Sequence, residues 1–151
     1  MNVGNLMARS VWTCALDHPA SCAAQIMWEH DCGSVAVVDA DGKVVGMVTD
    51  RDICMAAYTR DLPPSQITVG SVCSNGLVAV REDDSIQEAE SLMQRHRVRR
   101  LPVVDAGGRP VGVLSLADLA RNARPGQRNG DLAPDAILAT FAAIARPHLS
   151  A

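Results

Sequence analysis

Aromatic residues are scarce in this chain. Two Trp, one Tyr and one Phe make up 3% of its 151 residues. Basic residues are not in excess either, because 14 Lys and Arg face 17 Asp and Glu and leave a net charge of -3. Non-specific nucleic-acid binding requires a basic surface, usually with rings that stack on bases. We therefore expect no nucleic-acid partner.

Paired cysteines and long apolar runs are also missing. No apolar run approaches the ~20 residues of a membrane-spanning helix, so we expect no membrane span. No two cysteines form a CxxC pair, their number is odd, and no secretory signal precedes them. This pattern predicts free or buried thiols in a reducing cytoplasm. The five residues are Cys14, Cys22, Cys32, Cys54 and Cys73.

An internal repeat organises what the chain does contain. Shifted by 66 residues, positions 3–57 match positions 69–123 at 15 of 55 positions without a gap. The matches include glycines and aspartates, which a shared amphipathic pattern alone does not explain. We infer a duplication. The boundaries we predict are 1–62 for the first copy, 63–123 for the second, 124–133 for a polar linker and 134–146 for a tail helix.

Each copy is expected to fold as strand, helix, strand, strand, helix. Gly42 and Gly108 stand in turn clusters between the second and third strands, where a hairpin needs positive φ. Pro134 suits the first position of the tail helix, which is apolar nearly all round. That helix could pack on the core alone, or also on a partner subunit. The predicted strands are 11–13, 35–38, 44–48, 77–80, 101–104 and 110–114, and the predicted helices lie near 20–30, 50–58, 85–96 and 116–122.

One motif ends each copy: Gly46 to Asp52 and Gly112 to Asp118. Both read Gly, two apolar residues, a hydroxyl residue, two variable residues and Asp. The hydroxyl residue and the acid three positions later form a capping-box pattern, which would explain the residue types by helix stability alone. The same geometry suits a nucleotide, since a helix N-terminus attracts phosphate and a carboxylate can accept ribose hydroxyls.

The two copies resemble CBS domains, and the pair resembles a Bateman module of the small stand-alone bacterial kind. The likeness covers roughly residues 3–123 and rests on Val37-Val38-Asp39, on 99–105 and on the two motifs. It implies an α/β (α+β) fold in which two β-α-β-β-α units pair about a pseudo-twofold axis. It also implies two clefts for an adenosyl ligand such as AMP, ADP, ATP or S-adenosylmethionine, bound as a regulatory ligand rather than as a cofactor.

The resemblance also implies roles for individual residues. Asp52 and Asp118 would accept ribose hydroxyls, with Thr49 and Ser115 beside ribose and phosphate. The phosphate would meet the cations Arg51, Arg99 and Arg100, whereas Arg95 and Arg97 fit the solvated end of a helix. Residues lining the adenine would be Thr13, Ala36, Ala79 and Pro102.

Other chemistries find little support in the sequence. Cys14 with His18, and His30 with Cys32, do not supply the four converging ligands of a zinc site. Ser115 has no evident histidine partner, so we predict neither a metal nor an enzyme. We expect a cytoplasmic homodimer that senses an adenosyl ligand. The alternative is a ligand-free scaffold that docks on an unknown protein through its dimer and tail helix.

Overall fold

The computed structural model describes residues 1–74, 76–126 and 132–147. It is a mixed α/β structure, which confirms the predicted fold class. Residues 127–131 of the predicted linker lie outside the described residues. Along the chain the strands and α-helices are β1 (Thr13–Ala15), α1 (Ala20–Glu29), β2 (Ser34–Val38), β3 (Val44–Thr49), α2 (Asp50–Arg60), α3 (Ile86–His96), β4 (Arg100–Val104), β5 (Pro110–Ser115), α4 (Leu116–Asn122) and α5 (Pro134–Ile144).

The first strand of each copy differs from its prediction. β1 begins at Thr13 rather than residue 11, because Cys14 is the residue that enters the core, with 1% of its surface exposed. The run 77–80 is not a strand. Of its residues Val80 alone is buried, and it makes a single parallel bridge to Val103. That bridge is the counterpart, 66 residues on, of the pairing between Cys14 and Val37.

The chain forms two compact units that do not coincide with the two sequence copies. The first-motif unit comprises Ser10–Leu77 and Ala106–Pro110. The second-motif unit comprises Met1–Arg9, Val78–Asp105 and the chain from Val111 onward. The opening segment of each copy therefore packs in the unit that contains the other copy's motif. The copy boundaries themselves stay a prediction from the sequence.

The motif glycines make this exchange of segments possible. A Cβ on Gly46 would lie 2.8 Å from the carbonyl oxygen of Ser74, and one on Gly112 would lie 2.8 Å from that of Ala8. Ser74 and Ala8 are themselves 66 residues apart. In each unit the third strand of the repeat is thus crossed closely by the other copy's opening segment, and only glycine leaves the space.

The core of the first-motif unit lies between a three-stranded sheet and two helices. The sheet order is β1-β2-β3, with β1 parallel and β3 antiparallel to β2. Alternate residues of β3 are buried, as expected for a strand with one face on the core. The largest buried side chains here include Val35, Val37, Val48, Ile53 and Ile67.

The core of the second-motif unit has an additional helix. β4 and β5 form its sheet, and α5 packs on α3 and α4. α5 buries Ile137 and Ile144 beside the fully buried Thr140, while Leu138 remains 65% exposed. Gln94 Nε2 donates to Thr140 Oγ1 at 2.8 Å, which ties α5 to α3. The predicted tail helix is confirmed, with Pro134 in its first turn, and its packing within the chain is established.

Candidate functional site

The first motif forms the junction between β3 and α2. Asp52 N–H donates to Thr49 Oγ1 at 3.1 Å, and Thr49 N–H donates to Asp52 Oδ2 at 2.9 Å, so the capping box is complete. The backbone N–H of Asp50 donates to the carbonyl of Gly33 at 3.1 Å, which fixes this junction beside the start of β2. The cap therefore accounts for one oxygen of Asp52 and leaves the other to be explained.

The second motif repeats this junction with additional contacts. Ser115 N–H and Oγ–H both donate to Asp118 Oδ2, at 2.8 and 2.7 Å, and Asp118 N–H donates to Ser115 Oγ at 3.1 Å. Leu116 N–H donates to the carbonyl of Arg99 at 2.8 Å, the counterpart of the bond between Asp50 and Gly33. The backbone geometry of the motif is thus duplicated as the sequence predicts.

The two motif aspartates differ in their free capacity to bind. Arg121 Nη2 donates to Asp118 Oδ1, so both oxygens of this buried carboxylate are engaged. Position 55, the counterpart of Arg121, is Met, and Asp52 Oδ1 accepts no hydrogen bond in the part of the chain that the structure describes. Arg51 is exposed, and its guanidinium likewise has no contact among the described residues. The first motif therefore offers an available carboxylate oxygen and an available cation.

The sites proposed for adenine fall on neighbouring strands within each unit. Thr13 pairs with Ala36 across β1 and β2. Val80 N–H donates to the carbonyl of Pro102 at 3.1 Å, which places Ala79 at the equivalent edge of the other sheet. Ala36 and Pro102 are buried, whereas Thr13 is exposed. The structure thus brings together Thr13 with Ala36 and Ala79 with Pro102, and the role of these residues in binding stays a prediction.

Arg99 and Arg100 meet Ser115 at a pocket of about 430 Å³ in the second-motif unit. We call it the α5 pocket, because α5 contributes Ile137 and Phe141 to its wall. Asp118 does not line it. The sequence indicated that the tail helix needed burial, but its residues gave no signal that two of them would line a pocket beside the arginines. The remaining lining residues are Leu116, Ala117 and Ala120.

A second pocket, of about 350 Å³, lies between α1 and α2 in the first-motif unit. It is lined by Trp28, Cys32, Asp50 and Cys54 among others. None of the residues predicted for ligand binding contributes to it. Trp28 is 89% exposed and Tyr58 on α2 is 82% exposed, so this helical face presents large aromatic side chains to solvent.

The thiols are unpaired, and two of them have shifted pKa values. All five cysteines are free. Burial raises the pKa of the Cys14 thiol, and the nearby Cys22 adds to the rise. Burial also raises the pKa of Cys73; a backbone hydrogen bond opposes this, and the Asp52 carboxylate adds to it. Raised pKa values reduce the fraction of reactive thiolate at neutral pH.

Two further searches concern metals and membranes. Among residues 1–74, 76–126 and 132–147, no three His, Cys, Asp or Glu side chains gather in a group that could bind a metal ion. Over the same residues, no helix has the length and apolar character needed to span a membrane.

Comparison with known proteins identifies the family. A family model for the CBS domain matches residues 3–58 and 69–124, two segments related by the same shift of 66. The chain therefore belongs to the CBS-domain family, as a protein with two such domains. It is 38% identical to hypoxic response protein 1 of Mycobacterium tuberculosis over 111 residues, which are 73% of this chain and 77% of that protein. It is 37% identical to the CBS domain-containing protein YhcV of Bacillus subtilis over 123 residues, covering 80% and 84% of the two chains.

Solved structures agree with this assignment. The crystal structure of hypoxic response protein I, which contains two coordinated zinc ions, matches with a TM-score of 0.74 at 33% identity, over 82% of this chain and all of that one. The CBS domain pair of MJ0100, in complex with 5-methylthioadenosine and S-adenosyl-L-methionine, matches at 0.72 and 24%, over 80% and 98%. CBSX2 in complex with AMP matches at 0.68 and 23%, over 80% and 93%. At these lower identities, the last two comparisons show the fold.

Proposed function

We propose that this chain is a regulatory module that binds an adenosyl ligand of the AMP, ADP, ATP or S-adenosylmethionine class at its hydroxyl-x-x-Asp motifs. CBS-domain proteins are generally regulatory rather than catalytic, and we propose no catalytic activity and a cytoplasmic location for this one. The ligands of MJ0100 and CBSX2 support the ligand class.

The observation that carries this proposal is the available oxygen of Asp52. A ribose presents two adjacent hydroxyls, each of which can donate to a carboxylate. Asp52 Oδ1 has no other partner among the described residues, and Thr49 Oγ1 stands at the same helix start. Arg51 adds a guanidinium, which binds phosphate by charge-assisted hydrogen bonds. The α2 N-terminus adds a partial positive charge.

Calorimetry with AMP, ADP, ATP and S-adenosylmethionine, each titrated into ligand-free protein, tests the proposal. We expect heat with at least one of them. No heat with any of the four would contradict the adenosyl assignment. At the second motif, Asp118→Ala and Arg100→Ala should each weaken binding, with thermal unfolding as the check on folding. Unchanged affinity in both variants would remove Ser115, Asp118, Arg99 and Arg100 from the site.

Such a module regulates only if its ligand favours one arrangement of the protein over another. Ligand binding at Asp52 therefore has to change a second property, for which we propose association between copies of the chain. Sedimentation velocity with and without saturating ligand measures this directly. A sedimentation profile that is identical in both states would leave a binding protein without the regulatory part of the proposal.

A second candidate function is a ligand-free interaction scaffold, acting as a homodimer and through α5. The exposed Trp28 and Tyr58 on one unit, and Leu138 on the other, favour it. Because α5 buries Ile137 and Ile144, deleting the helix would disturb the core, and the point variants Leu138→Glu and Trp28→Glu are cleaner tests. We expect either variant to lower the mass measured by light scattering. A monomeric wild-type protein that captures no partner would count against this function.

A further inference from the structure

We propose that the α5 pocket binds an anionic amphiphile, that is, a small molecule with a phosphate or carboxylate group on an apolar body. The pocket has a cationic side formed by Arg99 and Arg100 and an apolar side formed by Ala120, Ile137 and Phe141. Its volume of about 430 Å³ lies within the ordinary range of small-molecule pockets. The proposal does not rest on adenosyl binding at Asp52.

The cationic side has unused binding capacity. Among the described residues, the guanidinium groups of Arg99 and Arg100 make no ion pair and no hydrogen bond. Arg100 is half-buried, and the backbone of Arg99 is fixed by the N–H of Leu116 at 2.8 Å. Two adjacent like charges without a counter-charge are unfavourable, and an anion that accepts from both relieves the repulsion.

The apolar side comes from a helix that is held in place. Ile137 and Phe141 are four residues apart on α5 and therefore share a face. Thr140, which is fully buried, bonds to Gln94 of α3 and fixes α5 in this position. Phe141, the chain's one phenylalanine, is nevertheless 47% exposed. An apolar ligand body in the pocket would cover part of that ring and gain the free energy of removing it from water.

The lining disfavours a nucleoside at this position. A ribose needs acceptors for its hydroxyls, and no acidic or amide side chain lines the pocket. The nearest motif carboxylate, Asp118, already accepts from Ser115 and Arg121. In the first-motif unit Gly33 and Ser34 replace the two arginines, so the cationic side is particular to the second-motif unit. An anion on an apolar body uses both sides and requires no further acceptor.

Calorimetry on the full chain with four probes tests the ligand class. Octyl phosphate, kept below its micellar concentration, should bind about tenfold or more tightly than inorganic phosphate or 1-octanol, because either of these uses only one side of the pocket. Octanoate in place of octyl phosphate distinguishes a carboxylate from a phosphate as the anion. Equal affinity for octyl phosphate and either half-probe would overturn the proposal.

Variants assign the binding to the pocket. Arg99→Gln with Arg100→Gln should weaken octyl phosphate about tenfold or more, while Arg95→Gln, an exposed arginine outside the pocket, should leave it unchanged. Phe141→Ala should weaken octyl phosphate but not inorganic phosphate, and Leu138→Ala, an exposed neighbour that does not line the pocket, should do neither. Equal effects of a variant and its control would overturn the assignment, provided that thermal unfolding shows all of them folded.

Two further arms separate this proposal from others. Octyl phosphate binding should survive Asp52→Asn, the variant chosen to weaken AMP, so either proposal can fail while the other stands. Loss of octyl phosphate binding in Asp52→Asn would overturn an independent pocket. Sedimentation with phosphatidylcholine vesicles containing phosphatidic acid distinguishes a bilayer lipid from a free amphiphile. We expect the protein to stay in the supernatant, and pelleting that depends on Arg99 and Arg100 would overturn the small-molecule assignment.

Discussion

Arg121 forms an ion pair with Asp118 on one turn of α4, and Met55 stands where the duplication would place a second arginine. The same motif thus carries an occupied carboxylate in one unit and a half-free carboxylate in the other. A single substitution outside both motifs makes this difference, and it provides a direct test of which aspartate binds ligand.

Met55→Arg should weaken AMP binding by about fivefold to tenfold, because an arginine at this position competes for Asp52 Oδ1 with the strength of a surface ion pair, ~1 kcal/mol. Calorimetry at low and high salt checks the effect, which should shrink as salt screens the pair. Met55→Gln, which has similar length and no charge, is the matched control and should bind AMP as the wild type does. Equal weakening in both variants would mean that position 55 acts by shape.

The motif glycines should be required for stability rather than for chemistry. In Gly46→Ala the new Cβ would lie 2.8 Å from the backbone of Ser74, so either strand has to shift. We expect the free energy of unfolding to fall by about 1–3 kcal/mol, as for an overpacked core. Urea denaturation measures it, with Lys43→Ala, an exposed position on the same hairpin, expected within ~0.5 kcal/mol of wild type. A neutral Gly46→Ala would show that the crossing is not close.

Thr140 should stabilise the docking of α5 through its hydroxyl. Thr140→Val keeps the shape but removes the acceptor of Gln94, and it should cost about 1 kcal/mol in urea denaturation. Thr59→Val is the matched control, because Thr59 Oγ1 also donates to the carbonyl four residues earlier but lies on an exposed face. The same loss in both variants would indicate that only helix propensity had changed.

The thiols should differ sharply in reactivity. The thiolate is the reacting species, and burial raises the pKa of Cys14, so this thiol should alkylate far more slowly than the exposed Cys54 at pH 7. Iodoacetamide labelling read by mass spectrometry ranks the sites. Because the pKa of Cys14 is higher in the folded than in the unfolded chain, stability should fall as pH rises above the ordinary thiol pKa. Comparable labelling of Cys14 and Cys54 in folded protein would contradict its burial.

The elements that the sequence could predict are those governed by one local requirement. Gly42 and Gly108 adopt φ of +76° and +80° in the two hairpins, and no other residue type does so without strain. The hydroxyl-x-x-Asp spacing predicted both capping boxes, because the cap joins residues three apart. Arg121 was also within reach of such reasoning, since residues three apart on a helix are neighbours.

Other features depend on packing between distant segments. The pattern around Val3 shows only that it is apolar, yet it is fully buried in the unit that contains residues 78–105. An apolar α5 requires burial, but its periodicity does not name α3 and α4 as the surface, nor place Phe141 beside Arg99 and Arg100. For the same reason the run 77–80 looked like a strand, although only Val80 reaches a partner.

The central claim is that the carboxylate of Asp52 binds an adenosyl ligand, and calorimetric titration of AMP into wild-type and Asp52→Asn protein tests it most directly. Asparagine retains an acceptor for the Thr49 N–H and so preserves the cap, while it removes the charge and the second acceptor oxygen. The account predicts that the wild type binds AMP and that Asp52→Asn binds it about tenfold or more weakly, with unchanged thermal unfolding. Equal AMP affinity in the two proteins would contradict it.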